Sequence, residues 1–356
     1  MKLTLQHLKR HAISMSLFSP ITLGQAVERL GFVQADPIRS PARAQDLILR
    51  HRVKSYRAGD LEKRYPSLHL EEDFLYAYGF MPLSTWQLLH PRLKSKLTAA
   101  EKRVLEIVST HKLIHPRELE SDLGRKREIN AWGGYSKATT RTLHALHFRG
   151  LLRIAKRENG IRLYEPAVQS HEPLEPAERL RQLVLLIANI LAPLPDRSLR
   201  AALRHLGYSA PALEGRNSAV TQLLASGDLA SAFVDDVRYV WPAGRVVRKE
   251  SQELVRFLAP FDPLVWDRQR FEYFWGWSYR FEAYTPAPKR KLGYYAMPLL
   301  WRDDVVGWVN ISNRQGVALS VQPGFVNQEP ADPSFRREFE AETERFRHFL
   351  QSRAES

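Results

Sequence analysis

The sequence contains no cysteine. Disulfides, thiolate metal sites and cysteine nucleophiles are thereby excluded together, and the composition suits a reducing compartment. Long apolar runs are also missing. The most hydrophobic helical stretch, Leu183 to Leu194, is about half of the roughly 20 residues a membrane span needs. The opening Met1-Lys2-Leu3-Thr4-Leu5-Gln6-His7 lacks the apolar core of a secretory signal, so a soluble, cytoplasmic protein is expected. There is no Walker loop, dinucleotide glycine pattern, GxSxG elbow or HExxH motif. His111 and His115 stand four apart, and His144 and His147 three apart, with no carboxylate in a metal-binding pattern beside them. They read as surface or satisfied polar residues, and neither metal nor cofactor is expected.

Acidic residues are in short supply, 39 against 53 Lys and Arg, for a formal net charge of +14. An excess of this size points to an anionic partner, nucleic acid first and an acidic membrane surface second. Hydrophobic content of 44% and charged content of 26% over 356 residues are those of a folded chain with more than one domain.

Four segments can be separated. In residues 1–92, Thr22-Leu23-Gly24-Gln25 has capping-box spacing and Gly31 stops a short helix. Phe32 to Asp36 then reads as extended, because Pro37 pushes Asp36 out of the helical region. Residues 93–170 show helices over Ala99–Val108 and Pro116–Leu123 and a third, capped by Ser136, whose inner face holds Leu143 and Leu146. Leu151 to Ile154 and Ile161 to Tyr164 flank Glu158-Asn159-Gly160, a hairpin with an Asn-Gly turn. Three helices followed by a hairpin predict a winged helix-turn-helix. Residues 171–246 repeat that plan, with helices over Ala177–Leu191, Ser198–Leu206 and Ser218–Ser226 before short extended pieces.

Residues 247–356 change class. Tyr279–Tyr284, Gly293–Leu300, Val305–Ile311 and Val317–Val321 read as strands, with turns at Arg302-Asp303-Asp304 and Asn313-Arg314-Gln315-Gly316. A small antiparallel barrel is expected, followed by a final helix with Phe335, Phe339, Phe346, Phe349 and Leu350 on one face. The fold class is therefore α+β, with winged units ahead of the barrel.

Residues 92–170 hold 17 Lys and Arg against 8 Asp and Glu, so +9 of the total charge sits there. Lys137 and Arg141 on the third helix, with Lys156 and Arg157 near the wing tip, are the cations a winged helix would set against phosphates. Lys289-Arg290-Lys291 forms a second basic run, a phosphate contact or a solubility feature. The aromatics Tyr273, Phe274, Trp275, Trp277 and Tyr279 read more readily as barrel core than as base-stacking groups.

Gln34 and Asp36 lie two apart in the extended stretch, so their side chains leave one face about 6–7 Å apart. An ionised Asp only accepts hydrogen bonds, whereas Gln both donates and accepts. Such a pair can hold a water and set negative charge beside an oxocarbenium ion, as glycosidic hydrolysis requires. Taken alone, a Gln-x-Asp before Pro is more often an exposed strand end.

Further residues resemble a known family. They are Gly31-Phe32-Val33-Gln34-Ala35-Asp36-Pro37-Ile38 with Ala42-Arg43-Ala44-Gln45, Trp132-Gly133-Gly134-Tyr135-Ser136-Lys137, Leu258 to Arg268, and Tyr284-Thr285-Pro286-Ala287-Pro288-Lys289-Arg290. In this order they resemble the bacterial winged-helix DNA glycosylases that unhook interstrand crosslinks, the YcaQ group, related to AlkZ. The resemblance implies three tandem winged units and a C-terminal β-barrel around double-stranded DNA, with Gln34 and Asp36 catalytic. It also implies Arg39 and Arg43 beside nearby phosphates. Asp36 resembles the broader, crosslink-active branch acting on N7-alkylguanine; the AlkZ-like branch has Gln there. Many relatives carry a His ahead of the Pro near position 82, where this chain has Tyr76-Ala77-Tyr78-Gly79-Phe80-Met81-Pro82, leaving Tyr76 or Tyr78 in its place. A monomeric, cofactor-free, monofunctional glycosylase, at the nucleoid when it acts on DNA, is one expectation. A non-enzymatic winged-helix regulator, with Gln34 and Asp36 structural, is the other.

Overall fold

Helix starts follow the polar residues available to cap them. In the computed structural model, which describes residues 3–93, 95–123, 127–129, 135–167, 174–244, 251–312 and 319–351, Thr4 and His7 box the start of α1 (Leu5–Ser16). Thr22 does the same for α2 (Leu23–Leu30), donating its N–H to Gln25 Oε1 at 3.3 Å. Gly31 ends that helix at φ 73°, a left-handed conformation that Gly adopts without cost. Strand β1 (Val33–Gln34) follows, then α3 (Ala44–Leu49), α4 (Asp60–Arg64), β2 (Leu70–Phe74), β3 (Tyr78–Pro82) and α5 (Leu83–Leu89). The sheet order is β1-β3-β2, all antiparallel. β1 and β3 approach so closely that a Cβ at Gly79 would lie 2.3 Å from the Val33 carbonyl oxygen.

The second stretch runs α6 (Ala99–His111), α7 (Pro116–Leu123), β4 (Arg127–Ile129), β5 (Tyr135–Lys137), α8 (Ala138–Phe148), β6 (Leu152–Glu158) and β7 (Ile161–Pro166). Asn159 and Gly160 both take positive φ, 50° and 81°, and so make the tight β6–β7 turn. The third helix begins at Ala138, one residue later than expected. Ser136 and Lys137 belong to β5, so Lys137 is not on that helix. The short β4–β5 hairpin was not foreseen; Trp132-Gly133-Gly134 lies outside the described residues.

The third stretch holds α9 (Pro176–Leu191), β8 (Leu194–Pro195), α10 (Asp196–Arg204), α11 (Leu206–Ser209), α12 (Arg216–Ala225), β9 (Leu229–Val234) and β10 (Val237–Pro242). Here the two-residue β8 joins the hairpin in the order β8-β10-β9.

In the last stretch β11 (Val255–Phe257), α13 (Pro263–Trp266), α14 (Arg268–Trp275), β12 (Met297–Trp301), β13 (Asp304–Ser312) and β14 (Ser320–Phe325) precede α15 (Pro333–Leu350). Among the described residues these strands form an open sheet, β11-β12-β13-β14, and not the expected barrel. Closure lacks a strand: Tyr279–Tyr284 is irregular chain. The free edge of β11 is covered by α15 instead, whose buried Glu342 accepts the Phe257 N–H at 3.2 Å. Phe335, Phe346 and Phe349 of α15 are buried, with Phe339 and Leu350 packed beside them. The expected turn at Asn313–Gly316 lies outside the described residues.

Hydrophobic cores do not follow the four sequence segments. One core joins Leu47 and Phe80 to Val104, Leu146 and Ile154 and to Phe257 and Phe346. A second joins Phe32 and Tyr76 to Ile187 and Leu199. A third packs Leu8 and Leu17 of the first stretch against Phe271, Phe274, Tyr279 and Leu300. Within that third core Trp275 and Trp277 donate their indole N–H to the Asp303 and Val305 carbonyls, and Tyr279 its hydroxyl to Ala296 O. The aromatic cluster is thus structural.

A buried ion pair locks the first and last stretches together. Arg52 meets Asp262 through two bonds of 2.8 and 3.0 Å and spends its other donors on Ser16 and Ile48. Asp262 in turn caps α13 through the Leu264 N–H. With both charges fully buried and saturated, α3 is held against the segment that carries residues 280–300. Among the described residues no helix is long and apolar enough to cross a membrane.

Candidate active site

The site grows from the end of β1. Val33 opposes Phe80 and Gln34 opposes Gly79, and the ladder closes with Ala35 N–H donating to Tyr78 O at 2.9 Å. Beyond Ala35 the chain turns away at Pro37, and Asp36 Oδ1 accepts the Ile38 N–H at 2.9 Å. Val33 is buried and Ala35 packs on the core, so Gln34 and Asp36 share the other side of the strand, both half-buried. Gln34 Oε1 is buried with no hydrogen-bond partner among the described residues. Burial raises the Asp36 carboxyl above its ordinary range, with the Ile38 N–H partly opposing.

The far end of the chain also reaches this neighbourhood. Tyr284 and the buried Tyr295 are raised first by burial and next by the Asp36 charge, which places both phenols within electrostatic reach of that carboxylate. Tyr284 is 76% exposed, whereas the Tyr295 hydroxyl is buried and unpaired among the described residues. Their loop is rigidly pinned. Glu282, itself buried, accepts the N–H groups of Lys291, Leu292 and Gly293 at 2.7–3.2 Å. Burial pushes its carboxyl up, but those donors overcome burial and hold it low. Asn310 adds a bond to Leu292 O at 2.8 Å, and Gly293, at φ 130°, leaves room for that amide. The basic run lies on this same loop, between Tyr284 and Tyr295. Lys289 and Lys291 are exposed, while Arg290 stacks on Tyr294 and donates to Thr285 O.

A second group of cations borders β3. Arg157 of the β6–β7 hairpin donates to the buried Glu72 at 2.9 and 3.1 Å, and Tyr78 adds its hydroxyl at 2.7 Å. Arg162 stacks on the Tyr78 ring. Arg43 pairs with Glu62, and burial followed by the Arg39 charge, with Arg157 further down, lowers its pKa. Arg39 is exposed.

The strand end holds Gln34 and Asp36 together, Arg43 lies within electrostatic reach of Arg39 and of Arg157 from the second stretch, and Lys289 to Lys291 lie on the loop between Tyr284 and Tyr295. Lys156 is tied to Glu158 at the tip of the β6–β7 hairpin, and Arg141 lies exposed on α8. Of the two tyrosines weighed as a histidine substitute, Tyr78 adjoins the site through its carbonyl bond to Ala35. Tyr76 is buried against Phe32 and Trp266. Sequence reasoning missed Tyr295, Glu282 and Glu72. Tyr284 stood inside a recognised motif, but nothing in spacing or periodicity tells that its loop crosses to Asp36. Among the described residues no group of three or more His, Asp or Glu converges that could hold a metal ion.

Comparison with known proteins accords with this architecture. The structure of Streptomyces sahachiroi DNA glycosylase AlkZ matches over 98% of this chain and 97% of that one, with a TM-score of 0.61 and 14% sequence identity. At that identity the likeness speaks for the fold. The sequence model described as DNA glycosylase AlkZ-like matches residues 27–349, a range that includes β1, the hairpin of Arg157 and the tyrosine loop. The chain belongs to the AlkZ-like DNA glycosylase family.

Proposed function

We propose that the protein hydrolyses the N-glycosidic bond of cationic N7-alkylguanine in duplex DNA, interstrand crosslinks included, with Gln34 and Asp36 as its catalytic pair. The family supplies the coarser half of this reading, a glycosylase acting on DNA. The observation that carries the finer half is the state of Asp36: a half-buried carboxylate with one hydrogen-bond donor, facing tyrosines. Most of its acceptor capacity is unspent, and its raised pKa makes it a better proton acceptor than an ordinary carboxylate.

The chemistry asks for little more. An N7-alkylated guanine already carries positive charge, so it leaves without a general acid. The C1′–N9 bond breaks and its electron pair neutralises the departing base, leaving the positive charge on the sugar. Asp36 stabilises that cation, and water adds to C1′ as its proton passes to the carboxylate. A water nucleophile makes the reaction monofunctional.

DNA would lie along the margin set by Arg39 on one wall and Lys289 and Lys291 on the other, with the three helix–hairpin stretches acting as winged units around it. Arg43 and Arg157, already held by Glu62 and Glu72, frame the strand. A crosslinked guanine is tied to the opposite strand and cannot be extruded into a closed pocket; a half-exposed strand end can reach it in the groove. The test pairs an N7-methylguanine duplex, scored for abasic sites after alkali, with a nitrogen-mustard-crosslinked duplex on a denaturing gel. Both should be processed. Methylated-base release without unhooking would narrow the substrate to monoadducts, and release from neither would overturn the proposal.

A further inference from the structure

A cleft of about 800 Å³ opens between the first and last stretches, and its lining includes none of the residues assigned to the reaction. It draws on residues 17–20 and 50–57 from the first stretch, and on residues 252–256 and α15 from the last. Leu17, Phe18, Val53 and Phe349 give it an apolar lining. Its charged lining is mostly cationic, with Arg50, Lys54, Arg57, Arg256 and Arg345 against Glu342 and Glu344. Both carboxylates are already spent. Glu342 takes Arg50 and Arg345 at 2.8 Å and the Phe257 N–H, and Glu344 takes Arg347 and His348. Between Arg50 and Arg57 the chain has four Lys or Arg and no acidic residue. Arg50 and Arg52 are consumed by Glu342 and Asp262 in holding the stretches together. Among the described residues Lys54, Arg57 and Arg256 meet no carboxylate at ion-pair distance. Arg256 donates to Gln252 Oε1 at 2.7 Å, a neutral acceptor that leaves its charge uncompensated.

We infer that this cleft binds a phosphate ester of nucleotide size, its phosphate on Lys54, Arg57 and Arg345 and its organic part on the apolar lining. Lys54 and Arg345 are exposed and Arg57 is half-buried, so all three heads can reach a ligand. Ammonium and guanidinium groups are the usual partners of phosphate. Clefts that take small molecules measure roughly 300–1,000 Å³ and combine apolar walls with a few placed polar groups. A bare inorganic ion would leave most of this one empty. Burial lowers the Arg256 pKa to about 10, with Glu342 opposing and Arg52, Arg345 and Arg50 adding to the fall. Arg50, Arg256 and Arg345 thus crowd about a single buried carboxylate, and a bound anion relieves that repulsion. Duplex backbone presents phosphate and sugar alone. A nucleotide, free or at the end of a single strand, also brings a base for the apolar lining.

Calorimetric titration of the full chain with deoxyadenosine 5′-monophosphate tests the inference. The nucleotide should saturate one site per chain, inorganic phosphate should bind more weakly, and deoxyadenosine, which lacks the phosphate, should not bind. Lys54→Ala/Arg57→Ala should weaken nucleotide binding roughly 10-fold or more, the usual cost of losing charge-assisted hydrogen bonds. Lys54→Ala alone, at an exposed position, should give a smaller loss with the least disturbance to the fold. Lys289→Ala/Lys291→Ala and Asp36→Asn should bind the nucleotide as wild type does. A 5′-phosphorylated single strand separates the two sources of the ligand. Competition with the mononucleotide assigns the cleft to a strand end, and its absence assigns the cleft to a free nucleotide. Equal binding of nucleoside and nucleotide would overturn the inference. So would loss of binding in the loop-lysine or Asp36 variant, or a wild-type chain that the mononucleotide does not saturate.

Discussion

Asp36 and Glu72 belong to the same three-stranded region, one just past the end of β1 and the other within β2, yet burial has opposite outcomes for them. Both are pushed up by desolvation. At Glu72 the hydrogen bonds and charge of Arg157, with the Tyr78 hydroxyl, overcome desolvation and leave the carboxyl below its ordinary range. At Asp36 a single N–H does not suffice, and the carboxyl stays raised. The difference is one of saturation. A carboxylate whose oxygens are all engaged holds two parts of the molecule together, here the first sheet and the β6–β7 hairpin of the second stretch. One left short of donors keeps its capacity for something that is not part of the fold.

Removing the saturating partner should give the largest effect. Arg157→Met leaves Glu72 buried with Tyr78 as its hydrogen-bond donor, and breaking a pair of this kind costs about 3–5 kcal/mol. Chemical denaturation should show the loss. A change below 0.5 kcal/mol would mean that Glu72 is not held by Arg157 in solution. Asp36→Asn should behave in the opposite manner. It keeps an acceptor for the Ile38 N–H and the shape of the side chain, so the fold is retained while excision falls by roughly 10²-fold or more. If Asp36→Asn unfolds the protein and Arg157→Met does not, the comparison is reversed and Asp36 is structural.

A pH series sharpens the same contrast. Folding raises the Asp36 pKa above its reference of 3.8, so the folded chain holds that proton more tightly than the unfolded chain, and ionising it at neutral pH costs stability. Asp36→Asn removes this cost. The variant should melt slightly above wild type at pH 7, the gap should shrink as pH falls through the raised value, and it should vanish below about 3.8. Glu72 has the opposite sign. Its contribution is present above its reference of 4.5 and is lost as pH falls through its lowered value. A melting difference between Asp36→Asn and wild type that grows toward acid would contradict the assignment.

What was legible in the sequence was local. The capping box at Thr22 and Gln25, the left-handed Gly31, the Asn159-Gly160 turn and the extended chain ahead of Pro37 each depend on a few adjacent residues, and each is present. Gln34 and Asp36 could be picked out for the same reason. The barrel could not be decided locally. Tyr279 to Tyr284 has strand composition, but its Glu282 carboxylate is spent on the N–H groups of residues 291–293 and its Tyr279 hydroxyl on Ala296 O, and α15 covers the edge that a closing strand would have used. Tyr295 was invisible as a partner of Asp36 because only the packing of the first and last stretches, locked by Arg52 and Asp262, brings them together. Lys137 was misplaced onto the helix because Ser136 imitates a cap, whereas both residues pair in the β4–β5 hairpin.

The same distinction between engaged and unengaged groups applies to the cations, where the expected effects are smallest. The +9 of residues 92–170 overstates what DNA can use, since Arg149, Arg153, Lys156 and Arg157 are all ion-paired within the protein. Lys289 and Lys291 are exposed on a loop whose backbone is fixed by Glu282, so they can meet phosphates without first giving up a carboxylate. Each phosphate neutralised contributes about 0.9 to the slope of log affinity against log salt. Lys289→Ala with Lys291→Ala should therefore flatten that slope by about 2, measured on undamaged duplex between low and physiological salt. Lys156→Ala should change it by much less, because Glu158 already holds that charge and is released when it is lost. Equal flattening by Lys156→Ala and by a single loop lysine would show that the Lys156–Glu158 pair opens on DNA, and that ion pairing in the free protein does not decide which cations contact the backbone.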